Sequence, residues 1–403
     1  MIMQHIISAT VAFAGIATCT SCPSSSHAEL TSSTLASYQT CTSLASLSLS
    51  SNDITTDTVF DRLTSVHGDL HIRNNYALPS VSFPALTKIH GHLVIANNTG
   101  LQRLGFPLLT SSASTTADSN PNLRGLAFPA GLSTSRIAIT NNGRLPSVTG
   151  VDAPSLESLS MNGNPCLTTL AFPHLASIGP LTLGLNSPSL SATFPALASA
   201  GPVVLTTLRA IALPALAAVE SLDVSETRLG VLVLPALVRV HRDVAVRANA
   251  HLARVELPSL EKVGGTVFIR NDSALTAVGL HHLAWVGGSF DIHGEKLANL
   301  SIPNIQRIDG AMNVVANLGC GKLRELKDGV VSGVFSCTSY ANSGNATNNT
   351  GNPFGNSTAS SNNGTDDGST ANTHHDSYAS GAFGGVKADY ILCVFVCLYL
   401  IFP

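Results

Sequence analysis

A chain of 403 residues, 44% hydrophobic but only 11% charged and 5% aromatic, departs from ordinary soluble domains, in which roughly a quarter of residues carry charge. A net charge of −3 points away from a polyanion partner, and no nucleic-acid-binding module is present. The length suits one large elongated domain with tails.

Residues 1–28 are expected to be a secretion signal. Residues 6–17 form an apolar run too short to span a bilayer as a helix. The start is atypical, because no Lys or Arg precedes Arg62. Cleavage is placed after Ala28 or nearer Ser21. Residues 29–66 are read as an N-terminal cap. Leu44, Leu47 and Leu49 suggest an irregular first coil, and Val59, Phe60, Leu63 and Val66 have helical spacing over 57–66.

Residues 67–318 are a repeat. An apolar residue before proline recurs at Phe83, Phe106, Phe128, Ala153, Phe172, Phe194, Leu213, Leu234, Leu257 and Ile302, with Leu280-His281 filling a slot without the proline. The spacing stays near 22 residues, which marks a solenoid. Each copy continues into Gly-x-apolar-x-apolar, as in Gly91-His92-Leu93-Val94-Ile95 and Gly179-Pro180-Leu181-Thr182-Leu183. Alternation of this kind is a strand with one buried face. A strand that returns once per coil pairs with its own copy, so the sheet is parallel. The fold expected is a β-rich parallel solenoid, a β-helix or leucine-rich-repeat-like, of about 12 coils of about 22 residues. At a strand spacing of about 4.8 Å the body should be roughly 55 Å long.

Three residues beyond each strand's second apolar position an asparagine recurs: Asn75, Asn98, Asn120, Asn142, Asn164, Asn186, Asn249 and Asn317, with Asp272 in the same slot. An amide both donates and accepts, so stacked copies can satisfy a tight turn coil after coil. The third coil carries Thr115 and Ala117 where others carry Leu and Ile, and is expected to pack poorly and flex.

Residues 319–340 close the far end as a C-terminal cap, with Cys320 and Cys337 paired in an oxidising compartment. Cys41 and Cys166 lie too many coils apart to join. If processing falls before Cys22, a bridge from Cys22 to Cys41 staples the first cap and leaves Cys166 free. No Cys/His set has metal spacing, so neither metal nor cofactor is expected. Residues 341–380 are Asn, Ser, Thr, Gly and Asp, the composition of a disordered stalk. Residues 381–403 end in an apolar tail behind Ser380-Gly381-Ala382, the pattern of a glycosylphosphatidylinositol (GPI) attachment signal with Ser380 as acceptor. The implied location is the cell surface, on the outer leaflet through the lipid or in the wall. Seven Asn-x-Ser/Thr acceptors fit a secreted chain: Asn97, Asn271, Asn299, Asn345, Asn348, Asn356 and Asn363.

The unit Phe83-Pro84-x-Leu86-x-x-Ile89-x-Gly91-x-Leu93-x-Ile95-x-x-Asn98 resembles the receptor L-domain repeat. The order of signal, solenoid, polar stalk and anchor is similar to the fungal GPI-anchored surface family involved in cell-wall organisation and sporulation. That resemblance implies a right-handed parallel β-solenoid and a glycosylated surface protein without enzymatic activity, in a structural or ligand-binding role. An adhesin or recognition receptor for a protein ligand is the alternative.

Residues between the buried strand positions face outward. They are bland in the middle coils, but near the C-terminal end Asp223, Asp243, Arg247, Phe268, Arg270, Asp291 and His293 gather on one face. An aromatic flanked by charges is a candidate patch for a polar ligand or protein. Catalysis is not expected. No nucleophile elbow, phosphate loop or His-Glu-x-x-His occurs, and the acid pairs Asp223 with Asp243 or Asp291 with Asp309 are the only hints of a carbohydrate-active site.

Overall fold

The computed structural model describes residues 22, 28–50 and 53–340. Nearly all of the expected signal, and the whole stalk and anchor signal with Asn345, Asn348, Asn356, Asn363 and Ser380, fall outside the described residues.

Within them the chain is a parallel β-solenoid of leucine-rich-repeat-like coils, about 13 turns of about 22 residues. The coil at 83–105 shows why. Phe83, Leu86, Ile89, Leu93, Ile95 and Leu101 all point inward and are essentially inaccessible, as is Asn98. The strand His92–Ala96 alternates in burial and pairs in register with Leu70–Arg73 on one side and Ser114–Asp118 on the other. A two-residue strand, Lys88–Ile89, precedes it, and Arg103–Gly105 follows on another side of the coil. Every one of these pairings is parallel.

The expected helix at 57–66 is absent. Thr58–Val59 pairs in parallel with Ser80–Ser82, and Ser65–Val66 with Lys88–Ile89. The reason is register: Phe60, Leu63 and Val66 fill the slots that Phe83, Leu86 and Ile89 fill one coil later, and all are buried. Apolar spacing of three is shared by a helix and by this corner, and stacking decides between them. Coils extend to both ends. Ala28–Leu30 pairs with Leu47–Leu49, and Phe335–Ser339 pairs with Met312–Ala316. A short helix, Leu35–Gln39, lies in the first cap and another, Gly321–Arg324, in the last. The Cys22–Cys41 disulfide closes the first end and Cys320–Cys337 the second. Cys166 is not free: it is buried and disulfide-bonded.

The asparagine ladder is laid down as a chain of buried amides. Nδ2 of Asn75 donates to Oδ1 of Asn98 at 2.8 Å, and the same step repeats to Asn120, Asn142, Asn164 and Asn186. Each Nδ2 also reaches back to a strand carbonyl of the preceding coil, as Asn98 does to Ile72. Leu208 then occupies the slot and interrupts the ladder. It restarts with Thr227, whose N–H and hydroxyl both donate to Asn249, and ends at Asp272. Asn317 is not a rung. It is exposed, because the chain after Ala316 leaves the coil path for the helix of the last cap.

The residue before each ladder slot, Leu208's included, takes the left-handed conformation. Asn74, Asn97, Ser119, Asn141, Leu185, Thr207, Glu226, Ala248 and Asn271 have φ between 51° and 60°. That turn swings the rung side chain inward, at a cost of about 1–2 kcal/mol for each non-glycine residue.

The third coil keeps its register, with Ser114–Asp118 paired in parallel to a strand on each side. Thr115 and Ala117 are buried, and Ser112 Oγ lies 3.0 Å from Thr115 Oγ1 and donates to Thr134 Oγ1 at 3.3 Å. Hydroxyls that satisfy one another replace the missing aliphatic groups. Phe106 supplies bulk from the corner, stacked between Phe83 and Phe128 with ring centroids 5.3 and 6.1 Å away.

Candidate binding surface

The charged residues near the C-terminal end sit on successive strands of the main sheet. Asp223, Ala245, Phe268, Asp291 and Asn313 are direct register neighbours in one outward column. Ser225, Arg247 and Arg270 form the next. Stacking at the strand repeat brings opposite charges together. Arg247 donates to Asp223 at 2.9 Å, and Arg270 pairs closely with Asp291, which also accepts from Asn313. The Arg270 guanidinium lies 5.2 Å from the Phe268 ring centroid. Two polar atoms here, Asp223 Oδ1 and Arg270 Nε, are buried and make no hydrogen bond. Beside them Ser225, Glu226, Arg247, Ala248, Phe268 and Asn271 line an open depression of about 320 Å³.

Two expected members stand apart. Asp243 lies at the corner before its strand, where Oδ1 accepts from the Thr266 backbone N–H at 2.7 Å. Asp69 does the same for His92. Asp243 is therefore a corner cap, and it does not join Asp223 as an acid pair. His293 lines an adjoining depression of about 200 Å³ with Asn271, Asp272, Ser273, Gly294, Glu295 and Tyr340. Asp309 is likewise engaged away from Asp291, by Trp285 and Arg307. Among the described residues no group of three or more Cys, His, Asp or Glu side chains is arranged to hold a metal ion. The acceptors Asn97, Asn271 and Asn299 are all exposed.

Asp272 is the unusual rung. Its Oδ1 accepts from the Asn249 N–H at 2.7 Å and Nδ2 at 3.0 Å, while its Oδ2 is buried with no partner. In the rung before it, the equivalent atom is the Asn249 nitrogen, which donates to the carbonyls of Val224 and Arg247. An ionised oxygen in that position has nothing to offer a carbonyl. Burial accordingly pushes the Asp272 carboxyl above its ordinary value, against the lowering effect of the Asn249 donors. The acid's contribution to stability is complete below the unfolded-state value near 3.8 and is lost as pH rises through the raised folded-state value. Asp272→Asn is expected to stabilise the protein at neutral pH by about 1 kcal/mol and to flatten this part of the pH dependence. Urea midpoints at pH 4 and pH 7.5 measure it, with the gain larger at the higher pH.

Sequence reasoning missed Thr227, because only Asn and Asp were read in the ladder slot, although a hydroxyl also accepts and donates. It also missed the residues on the short corner strands. Arg239, Lys262, Trp285 and Arg307 form one outward column there, in direct register. The outward position is the residue just before the corner's buried Val or Ile, a rule readable from Lys88-Ile89 onward.

Neither a protein-family model nor a curated protein matches the chain. Among solved structures, a leucine-rich repeat protein from Bacteroides ovatus ATCC 8483 aligns over 66% of this chain and 87% of that one, at 12% identity and a TM-score of 0.19. So distant a likeness adds nothing to the strand pairing, and it is that pairing which makes this chain a leucine-rich-repeat-like parallel solenoid.

Proposed function

We propose that the chain is a secreted, GPI-anchored surface glycoprotein whose solenoid binds a polar ligand and takes no part in catalysis. The observation that carries the binding role is the open depression of about 320 Å³ in which the polar side chains of Ser225, Glu226, Arg247 and Asn271 surround the Phe268 ring. An aromatic face ringed by hydrogen-bonding and charged groups suits a polar ligand. Disulfides at both ends support an oxidising, extracellular setting. The tail pattern behind Ser380 and the exposed acceptors Asn97, Asn271 and Asn299 support lipid anchoring and glycosylation. A role in surface or wall organisation follows from the resemblance of the repeat and of the chain's layout.

Phosphatidylinositol-specific phospholipase C applied to intact expressing cells should release the glycoprotein into the supernatant. Retention on membranes, with tail residues still present by mass spectrometry, would remove the anchor from this reading. In the same cells, Arg247→Ala with Arg270→Ala should abolish ligand capture at the surface while leaving display intact.

A further inference from the structure

The corner column shows a sharp change along the solenoid. From Ser111 through Ser133, Ser155, Ser177 and Ser199 to Ala218 the outward position is small and neutral. In the next four coils it becomes Arg239, Lys262, Trp285 and Arg307. Overall charge argues against a polyanion partner, but charge this localised is set by its neighbours and not by the sum.

Those neighbours leave cations over. On the Phe268 face each arginine has a carboxylate, so that patch neutralises itself. On the corner column neither Arg239 nor Lys262 has an ion-pair partner among the described residues. Lys262 Nζ instead lies 4.1 Å from the centroid of the Trp285 ring. A ring face attracts an ammonium group without cancelling its charge, so Lys262 is held in place yet remains available to an anion. Trp285 is itself fixed, because its Nε1 donates to Asp309 Oδ2 at 3.1 Å. Arg307 shares that carboxylate and holds it below its ordinary value, which makes Asp309 a spent acid. Arg242, at the next corner position, is paired with Glu220 at 3.3 Å.

The column also borders open space. Arg239, Val240, His241, Lys262, Gly264 and Trp285 line a groove of about 290 Å³. Its floor is bare for a packing reason. A β-carbon on Gly264 would lie 2.1 Å from the His241 carbonyl oxygen, and one on Gly287 2.2 Å from that of Gly264. Only glycine fits, and backbone is left accessible beside the cations.

We propose that Arg239, Lys262, Trp285 and Arg307 form a binding site for a linear acidic polysaccharide, carrying carboxylate or sulfate groups, that runs along the solenoid axis. Arg239 and Lys262 are direct neighbours in a file one residue wide, about 4.8 Å apart, and Arg307, paired with Asp309, lies two strand spacings beyond Lys262. That geometry fits a chain with charges spaced along its length. A membrane surface needs a broad basic patch, and here Glu220, Glu261 and Asp309 flank the file. The assignment names one ligand class for the extracellular protein and rests on that setting only for where the ligand is met.

Trp285 is the chain's one tryptophan, so its fluorescence reports on this site alone. Heparin titrated into the purified full chain should give a saturable change in emission that salt suppresses, and neutral dextran should give none. Arg239→Ala with Lys262→Ala should weaken heparin binding at least tenfold and lower the slope of log K against log salt by about one per cation removed. Arg124→Ala with Arg144→Ala, exposed arginines of earlier coils, should leave both unchanged. Any of four results would overturn the proposal: no heparin binding; binding with silent Trp285 emission; equal loss in the two double variants; or equal binding to phosphatidylserine vesicles. Because purified protein is used, failure here is separable from failure of the phospholipase release.

Discussion

Asn142→Ala should lower unfolding stability by about 4 kcal/mol, near the top of the range for a single substitution that removes no apolar bulk. Asn142 is fully buried and sits mid-ladder. Its Oδ1 accepts from Asn120 N–H at 3.2 Å and Nδ2 at 3.0 Å. Its Nδ2 donates to the Ala117 and Thr140 carbonyls, at 2.9 and 2.8 Å, and to Asn164 Oδ1 at 3.2 Å. Alanine strands groups in three neighbouring coils where water has no access. Each orphaned group costs about 1–3 kcal/mol, partly offset because some keep a second partner. Asn142→Asp should be nearly as damaging at neutral pH and should recover in acid, when the new oxygen can donate as Nδ2 does. Exposed Asn141, one residue earlier, makes the control: Asn141→Ala should cost only about 1–2 kcal/mol, through its left-handed backbone. Urea unfolding separates the three. Because coils couple mainly to their neighbours, Asn142→Ala should also split or broaden the transition, with hydrogen-exchange protection lost first near this rung.

The same ladder shows what the sequence carries and what it hides. The rungs from Asn75 to Asn186 are legible because one residue type recurs at one spacing. The break at Leu208 and the restart at Thr227 are not, since a buried leucine and a hydroxyl each satisfy the slot in a different way. Asn317 fits the spacing yet lies outside, because spacing cannot reveal where the chain leaves the coil. The helix expected at 57–66 fails for a related reason: Phe60, Leu63 and Val66 repeat at three, and only the stacking of Phe60 on Phe83, centroids 5.0 Å apart, assigns them to a corner. The charged patch was legible as a column, since side-chain alternation fixes which residues face out. Its pairing was not, because whether Arg270 meets Asp291 or solvent depends on the register between coils. Asp243 was misplaced by the same limit, as a corner residue looks like a strand residue until the bend is known.

Phe106→Ala should cost about 4 kcal/mol, the usual range for a buried phenylalanine truncated to alanine being about 3–5 kcal/mol. Phe60, Phe83, Phe106 and Phe128 stack along the solenoid, neighbouring ring planes within 16° of parallel. Phe106 has a ring on each side, and contacts of this kind add about 0.5–1.5 kcal/mol beyond area burial. Its own coil has little else to fall back on, since Thr115 and Ala117 fill the two strand positions that Leu93 and Ile95 fill in the preceding coil. Phe194 stands in the same slot and stacks on Phe172 alone, at 5.5 Å, in a coil that also buries Val203 and Leu205. Phe194→Ala should therefore be the milder of the two in a thermal melt. Phe106→Leu should recover most of the loss, because Leu213, Leu234, Leu257 and Leu280 occupy this slot fully buried in later coils. If Phe106→Leu proved as damaging as Phe106→Ala, the stack itself, and not the volume it fills, would be what holds the third coil closed.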